Sequence, residues 1–158
     1  MLCRVRKDYI TGNVSYNVVV TGDTFKRIFF IFIAAFILNA VWENLHSVLY
    51  ESYKGGEISQ FILLRATLSD AIYIVLMTLP FVLCSKFKKY DWLVVVFGVV
   101  ISIIIEYYAL STGRWAYKDL MPIIPFLGIG LTPTIQLGLL GYITFKLEES
   151  IFQSKIEV

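Results

Sequence analysis

The sequence predicts an all-α polytopic membrane protein, a four-helix antiparallel transmembrane bundle with a broken or kinked fourth span. Three observations carry that prediction. Of the 158 residues, 58% are apolar and only 16% charged, against about 45–50% and about 25% in soluble domains. Four apolar stretches, at residues 28–50, 61–85, 92–110 and 123–145, have the length that crosses a hydrocarbon core of about 30 Å with roughly 20 helical residues. The connections between them are short, which makes consecutive helices antiparallel neighbours.

Taken in order, residues 1–27 form a cytoplasmic tail. It holds one stretch of strand-like alternation, VSYNVVV, which cannot make a stable sheet alone. The first span is too long for a cleaved signal peptide and lacks a small-residue cleavage site. ESYKGGEISQ is a Gly-Gly outer loop, and KFKKYD is a tight inner connection. In PIIPFLGIGLTPTIQ, Thr132-Pro133 reads as an N-cap followed by proline at the first helical position. A helix starting there and ending near 145 has about thirteen to fifteen residues, roughly 20 Å, short of a span. Residues 120–131 are then non-helical backbone at membrane depth, with a simple kink at Pro133 as the alternative. The membrane domain covers 28–147, and 148–158 form a second cytoplasmic tail.

Orientation follows from the excess of Lys and Arg in cytoplasmic segments. Ten of them (Arg4, Arg6, Lys7, Lys26, Arg27, Lys86, Lys88, Lys89, Lys146 and Lys155) fall on one side, and four (Lys54, Arg65, Arg114 and Lys118) on the other. Both termini are therefore expected inside, in the cytoplasmic (inner) membrane. The net charge of +2 is a topology signal rather than a nucleic-acid footprint, so the expected partner is the lipid bilayer and not nucleic acid. Cys3 and Cys84 fall on the reducing side without a CxxC pattern, which argues against a structural disulfide.

With that topology, polar residues gather in one layer, the outer half of the bilayer. Asn39, Glu43, His46 and Tyr50 recur at helical spacing on one face of span one; Asp70, Tyr73 and Met77 share a face of span two, and Ser102 and Glu106 one of span three. Gln136 enters from span four. Ionisable groups inside a membrane cost on the order of 2.5–3.5 kcal/mol on insertion scales, so they face inward and pair. The candidate acid/base residues are Glu43, His46, Asp70 and Glu106. The candidate substrate contacts are Asn39, Arg65, Arg114, Trp115, Tyr117 and Gln136. Arg114 is expected to neutralise Glu106, with lipid phosphate or snorkelling as alternatives, and Asp70 to pair with Arg65 or Arg114. Trp42, Trp92 and Trp115 also suit interfacial anchoring. Glu43-x-x-His46 has the spacing of half a di-metal site, but no second half exists in the sequence, so no metal is expected and no cofactor is identified.

The pattern WENLH…LY, RATLSDA and EYYALSTGRWAYKDLMPIIPFLGIGLTPTIQ resembles a recurrent group of small, uncharacterised four-span bacterial membrane proteins over residues 28–145. That resemblance implies a topology and no activity. Locally, Glu106-x-x-Ala109-x-x-x-Gly113-x-Trp115-x-Tyr117 is similar to the acidic-x-x-Ala-x-x-x-Gly-x-Trp-x-aromatic signature of membrane-embedded lycopene cyclase domains. This implies an acid role for Glu106 toward an apolar, isoprenoid-like substrate. The acids expected after the downstream prolines of that family are here Pro133, Thr134 and Gln136.

Three functions stand at this point. One is a carboxylate-rich site that binds or acts on a lipid or isoprenoid by acid/base chemistry. A second is a non-catalytic scaffold or subunit whose polar layer sets helix register, and a third is a small transporter or ion-conducting protomer. The inner halves of the spans offer no polar path, so the third reading requires a homo-oligomer or another conformation.

Overall fold

Among the described residues four long helices dominate the fold, accompanied by three small strand pairs that the sequence reading did not foresee. The computed structural model describes residues 3–7, 14–18 and 22–153. The rest of the expected tails, including 154–158, lies outside the described residues. Strand β1 (Cys3–Lys7) pairs antiparallel with β2 (Val14–Val18), so the alternating stretch has a partner that composition alone concealed.

Helix α1 (Gly22–His46) starts ahead of the expected residue 28 because Asp23 and Lys26 extend it by a charged turn; an acid in a first turn is favourable to the helix dipole. It ends at His46, runs through a 3-10 turn at Ser47–Leu49, and gives way to β3 (Tyr50–Tyr53). Helices α2 (Gln60–Leu83) and α3 (Leu93–Ser111) lie close to the expected spans. Strand β4 (Trp115–Tyr117) then pairs with β3, Tyr50 opposite Tyr117 and Tyr53 opposite Trp115. Between them and α2 the chain reverses through Lys54 (φ 51°) and Gly55 (φ 75°), the positive-φ pair of a type I′ turn.

The fourth span is where expectation and structure differ most. Residues 123–130 are a hairpin of β5 (Ile123–Ile124) and β6 (Ile129–Gly130), turned at Gly128 (φ 67°). Helix α4 runs from Leu131 to Gln153 without interruption, so the fourth helix occupies 131–153 and not 123–145. Pro133 sits in its first turn, where a missing N–H costs nothing. Thr132 does not serve as the expected cap, because its hydroxyl is bonded to His46 and to Met121 Sδ.

Among the described residues three helices are long and apolar enough to cross a membrane: α1 with the turn after it (Gly22–Leu49), α2 and α3. Helix α4 is not among them, yet its Thr134, Gln136, Thr144 and Glu148 side chains are buried. Its exposed face is instead Leu131, Ile135, Leu139, Ile143, Leu147 and Ile151, every fourth residue. Helix α1 shows the same stripe through Phe25, Phe29, Ile33, Ile37, Val41 and Leu45. This polarity is the reverse of a helix on a water-soluble core.

Helix α1 packs chiefly on α2 and α3 chiefly on α4, α4 also contacts α1, and α2 meets α3 only sparsely. Helix α4 runs against α1: Arg27 is paired with the fully buried Glu148 at one end, and His46 meets Thr132 at the other. Lys146 joins Asp91 and Glu149 at the same charged end. Between the ends Ile31, Ala35, Ile74, Met77, Phe81, Val94, Leu140 and Phe145 fill the core.

Where α3 crosses α4 the backbones nearly touch. A Cβ added at Gly98 would lie 2.4 Å from Gly138 Cα, and one at Gly138 would lie 2.7 Å from the Val95 carbonyl oxygen. Small residues permit such approach between membrane helices. Replacing Gly98 by Val should force the pair apart and lower stability by about 1–3 kcal/mol, read as an earlier thermal unfolding midpoint in detergent. Gly22→Ala, with open space around it, is the control; an unchanged midpoint for Gly98→Val would show that the helices do not cross so closely.

Candidate functional site

Three helices meet at one amide. Gln136, buried in α4, places Nε2 2.6 Å from Glu43 Oε1, 3.0 Å from Asp70 Oδ2 and 3.1 Å from Asn39 Oδ1. Two N–H donors thus serve three acceptors from α1 and α2. Asn39 donates its own amide to the Ala35 carbonyl at 2.8 Å, which leaves its oxygen toward Gln136. Glu43 and Asp70 therefore stand on the same amide, one from α1 and one from α2.

A second cluster surrounds Glu106 of α3. The Tyr117 hydroxyl and the Trp115 indole N–H, the latter at 3.3 Å, both donate to Oε2. Both donors come from β4, and the ring of Tyr50 on the paired β3 packs against the two of them. The Tyr117 oxygen also accepts the Gly130 N–H at 3.0 Å. Burial first, and then its bond to Glu106, push the Tyr117 hydroxyl above the usual tyrosine range, so it remains a donor at any physiological pH.

Both clusters line one cavity of about 230 Å³. Glu43, Asp70, Glu106, Gln136, Ser102, Arg65, Arg114 and Trp115 contribute polar wall, and Ile58, Ile62, Leu63, Ile105 and Leu137 apolar wall. The cavity lies between α2 and α3 and reaches the protein surface at Arg65, Ser69 and Tyr73, which are exposed. Ser102 is 3% exposed, and its hydroxyl has no partner there.

Of the residues singled out from the sequence, Glu43, Asp70, Glu106, Gln136, Arg65, Arg114 and Trp115 come together around this space. Asn39 and Tyr117 stand directly behind it, each on a group that lines it. His46 does not join them. It is buried against Trp42, Tyr50 and Thr132, and its Nε2 lies 2.7 Å from Thr132 Oγ1; the i, i+3 step from Glu43 turns it toward the start of α4.

The expected ion pairs are also absent. Among the described residues no Lys or Arg pairs with Glu43, Asp70 or Glu106. Arg114 lies over the Tyr108 ring at 5.0 Å, and Arg65 donates to Tyr53 Oη at 2.6 Å. Glu106 meets uncharged donors instead, because β4 delivers Trp115 and Tyr117 to it first. Among the described residues no group of three or more His, Cys, Asp or Glu is arranged to hold a metal ion.

The sequence reading missed Tyr53 and the strand pair that carries Tyr50, Trp115 and Tyr117 inward. The available signal was the alternation in YESY and WAY, too short to stand out. In comparison with known proteins, the chain matches no family model, no curated protein and no solved structure.

Substituting Gln136 by Leu strips a donor from three acceptors on two other helices. A loss of stability of about 2–4 kcal/mol is expected, since each orphaned buried acceptor costs about 1–3 kcal/mol with part recovered by rearrangement. Chemical unfolding in detergent would register it; a wild-type midpoint would mean that the three-helix junction is not held by this amide.

Proposed function

We propose that the protein is a four-span antiparallel membrane protein of the cytoplasmic membrane, with both termini cytoplasmic. Its carboxylate-rich cavity, in the outer half of the bilayer, binds or acts on a lipid or isoprenoid by acid/base chemistry. The observation that carries this reading is the convergence of Glu43, Asp70 and Glu106 on one cavity beside the sparse α2–α3 contact. A flank opening at that place admits an apolar molecule from the side.

Support for the fourth span comes from α4 itself. Its apolar stripe faces outward from Leu131 to Ile151 while Thr134, Gln136, Thr144 and Glu148 are buried, as a helix surrounded by lipid requires. Phe126 and Leu127, exposed at the tip of the β5–β6 hairpin, suit insertion at the membrane interface. The end bearing Arg27, Lys88 and Lys146 fits the cytoplasmic face by the excess of basic residues.

The chemistry divides between the two clusters. Glu106, with hydroxyl and indole donors on a single carboxyl oxygen, is the group placed to give or take a proton at the cavity wall. Glu43 and Asp70, joined through the Gln136 amide, stand a few side chains away as further carboxyls for proton exchange. The local similarity to lycopene cyclase domains agrees with an acid at position 106 facing an apolar substrate. His46, turned away, is dropped from the acid/base set.

One observation favours the scaffold reading. The acids and Gln136 have hydrogen-bond partners within the protein, so they also lock α1, α2 and α4 into register. Conduction has less support, because apolar core fills the space between the cavity and the charged end.

Two experiments test these points. A cysteine introduced at Gly55 should react with an impermeant maleimide added outside sealed cells, while native Cys3 and Cys84 stay protected; the opposite pattern inverts the topology. Glu106→Gln, Glu43→Gln and Asp70→Asn proteins in nanodiscs should keep their helical content and lose lipid turnover or specific lipid binding by on the order of 10²-fold or more for a true general acid. Variants that lose only stability and retain any lipid association would establish the scaffold.

A further inference from the structure

The cavity has two permanent cations at its mouth that no carboxylate claims among the described residues. Arg65 leaves α2 and Arg114 follows α3, and both line the same space. Three carboxyls line it too, yet among the described residues none forms an ion pair with either arginine. Each guanidinium is steadied by a tyrosine instead: Arg65 by Tyr53 Oη at 2.6 Å, and Arg114 by the Tyr108 ring with Oη at 3.5 Å.

Tyr53 belongs to β3 and Tyr108 to the last turns of α3. Tyr53 stands opposite Trp115, the neighbour of Arg114, and the Lys54 N–H donates to the Arg114 carbonyl at 2.7 Å. Arg65 through its guanidinium and Arg114 through its carbonyl are therefore both held at the end of β3, and among the described residues each guanidinium has most of its N–H donors uncommitted. A guanidinium has five such donors in a planar fork that matches phosphate. Behind them the wall turns apolar at Ile58, Ile62 and Ile105, and at its depth the buried Ser102 hydroxyl lacks a partner.

We propose that Arg65 and Arg114 clamp the phosphate head of a single amphiphile whose chain runs along the cleft between α2 and α3. The proposal rests on the lipid-site reading above and narrows it to an anionic, phosphate-bearing ligand. A neutral lipid would leave both cations uncompensated, and a free phosphate would leave the apolar wall uncovered. Arginines that merely snorkel to the bilayer surface need neither a shared cavity nor a common anchoring strand.

The test uses full-length protein in phosphatidylcholine nanodiscs and a pair of single-chain probes, lysophosphatidate and the monoacylglycerol of the same chain. Lysophosphatidate should bind saturably at one per protein and at least about tenfold more tightly than the monoacylglycerol, the effect of a hydrogen-bonded charge. Arg65→Gln and Arg114→Gln should each weaken it on the order of tenfold, with Arg→Lys recovering part and the unfolding midpoint unchanged. Inorganic phosphate at millimolar concentration should not displace it. Equal binding of both probes that is lost in Glu106→Gln would overturn the clamp and leave the lipid site standing. Displacement by inorganic phosphate would overturn the amphiphile in favour of a soluble anion. Binding that follows net charge without saturation would reduce the arginines to surface attraction, and failure of both probes to bind would defeat the clamp and the lipid reading together.

Discussion

A buried side-chain amide must find hydrogen-bond partners within the protein, and Gln136 finds them on neighbouring helices and so constrains the whole bundle. Its three acceptors lie on α1 and α2, which fixes the depth at which Asn39, Glu43 and Asp70 stand relative to α4. A one-turn slip of α4, about 5.4 Å, would break all three bonds at once, and a slip of α1 would break two of them. Arg27 and Glu148 pin the other end of the α1–α4 contact, so the two helices are fixed at both extremities. The glycine crossing then brings α3 in at backbone distance, and with it Glu106.

The same inversion of polarity explains why a site exists here at all. Acids that a soluble protein would display to water are turned inward, where they collect because no other place satisfies them. The cavity is what remains where α2 and α3 fail to close over this collection. Its floor is polar, its flank apolar and its rim cationic, three properties that follow from which helix contributes which wall.

Much of this was legible in the sequence, and the failures have physical causes. Helical spacing in Asn39-x-x-x-Glu43 and Ser102-x-x-x-Glu106 put the right side chains on inward faces, since 3.6-residue periodicity is independent of fine detail. Hydropathy misplaced the last helix because Lys146, Glu148 and Glu149 look like an aqueous boundary, whereas Arg27 and Asp91 take up Glu148 and Lys146 within the protein. Proline and glycine between 122 and 133 announced non-helical backbone but not its form, a hairpin of two-residue strands. The expected Arg114–Glu106 pair failed because the sequence does not reveal that β3 and β4 meet. That pairing joins segments sixty-odd residues apart, from Tyr50 to Tyr117, and carries tyrosine and tryptophan to the acid ahead of the arginine.

The Tyr117 hydroxyl occupies a singular position, giving a hydrogen bond to Glu106 and receiving one from the Gly130 backbone N–H. Gly130 immediately precedes α4, and the next amide, Leu131, is held by the Pro122 carbonyl at 2.7 Å. The carboxyl on the cavity wall is thus joined through one phenol to the backbone on which the fourth helix is hung. Any molecule that competes for Glu106 Oε2 also alters how firmly Tyr117 holds that amide. Solvent exchange of a single backbone proton, remote from the ligand and outside its contacts, thereby becomes a gauge of what occupies the cavity.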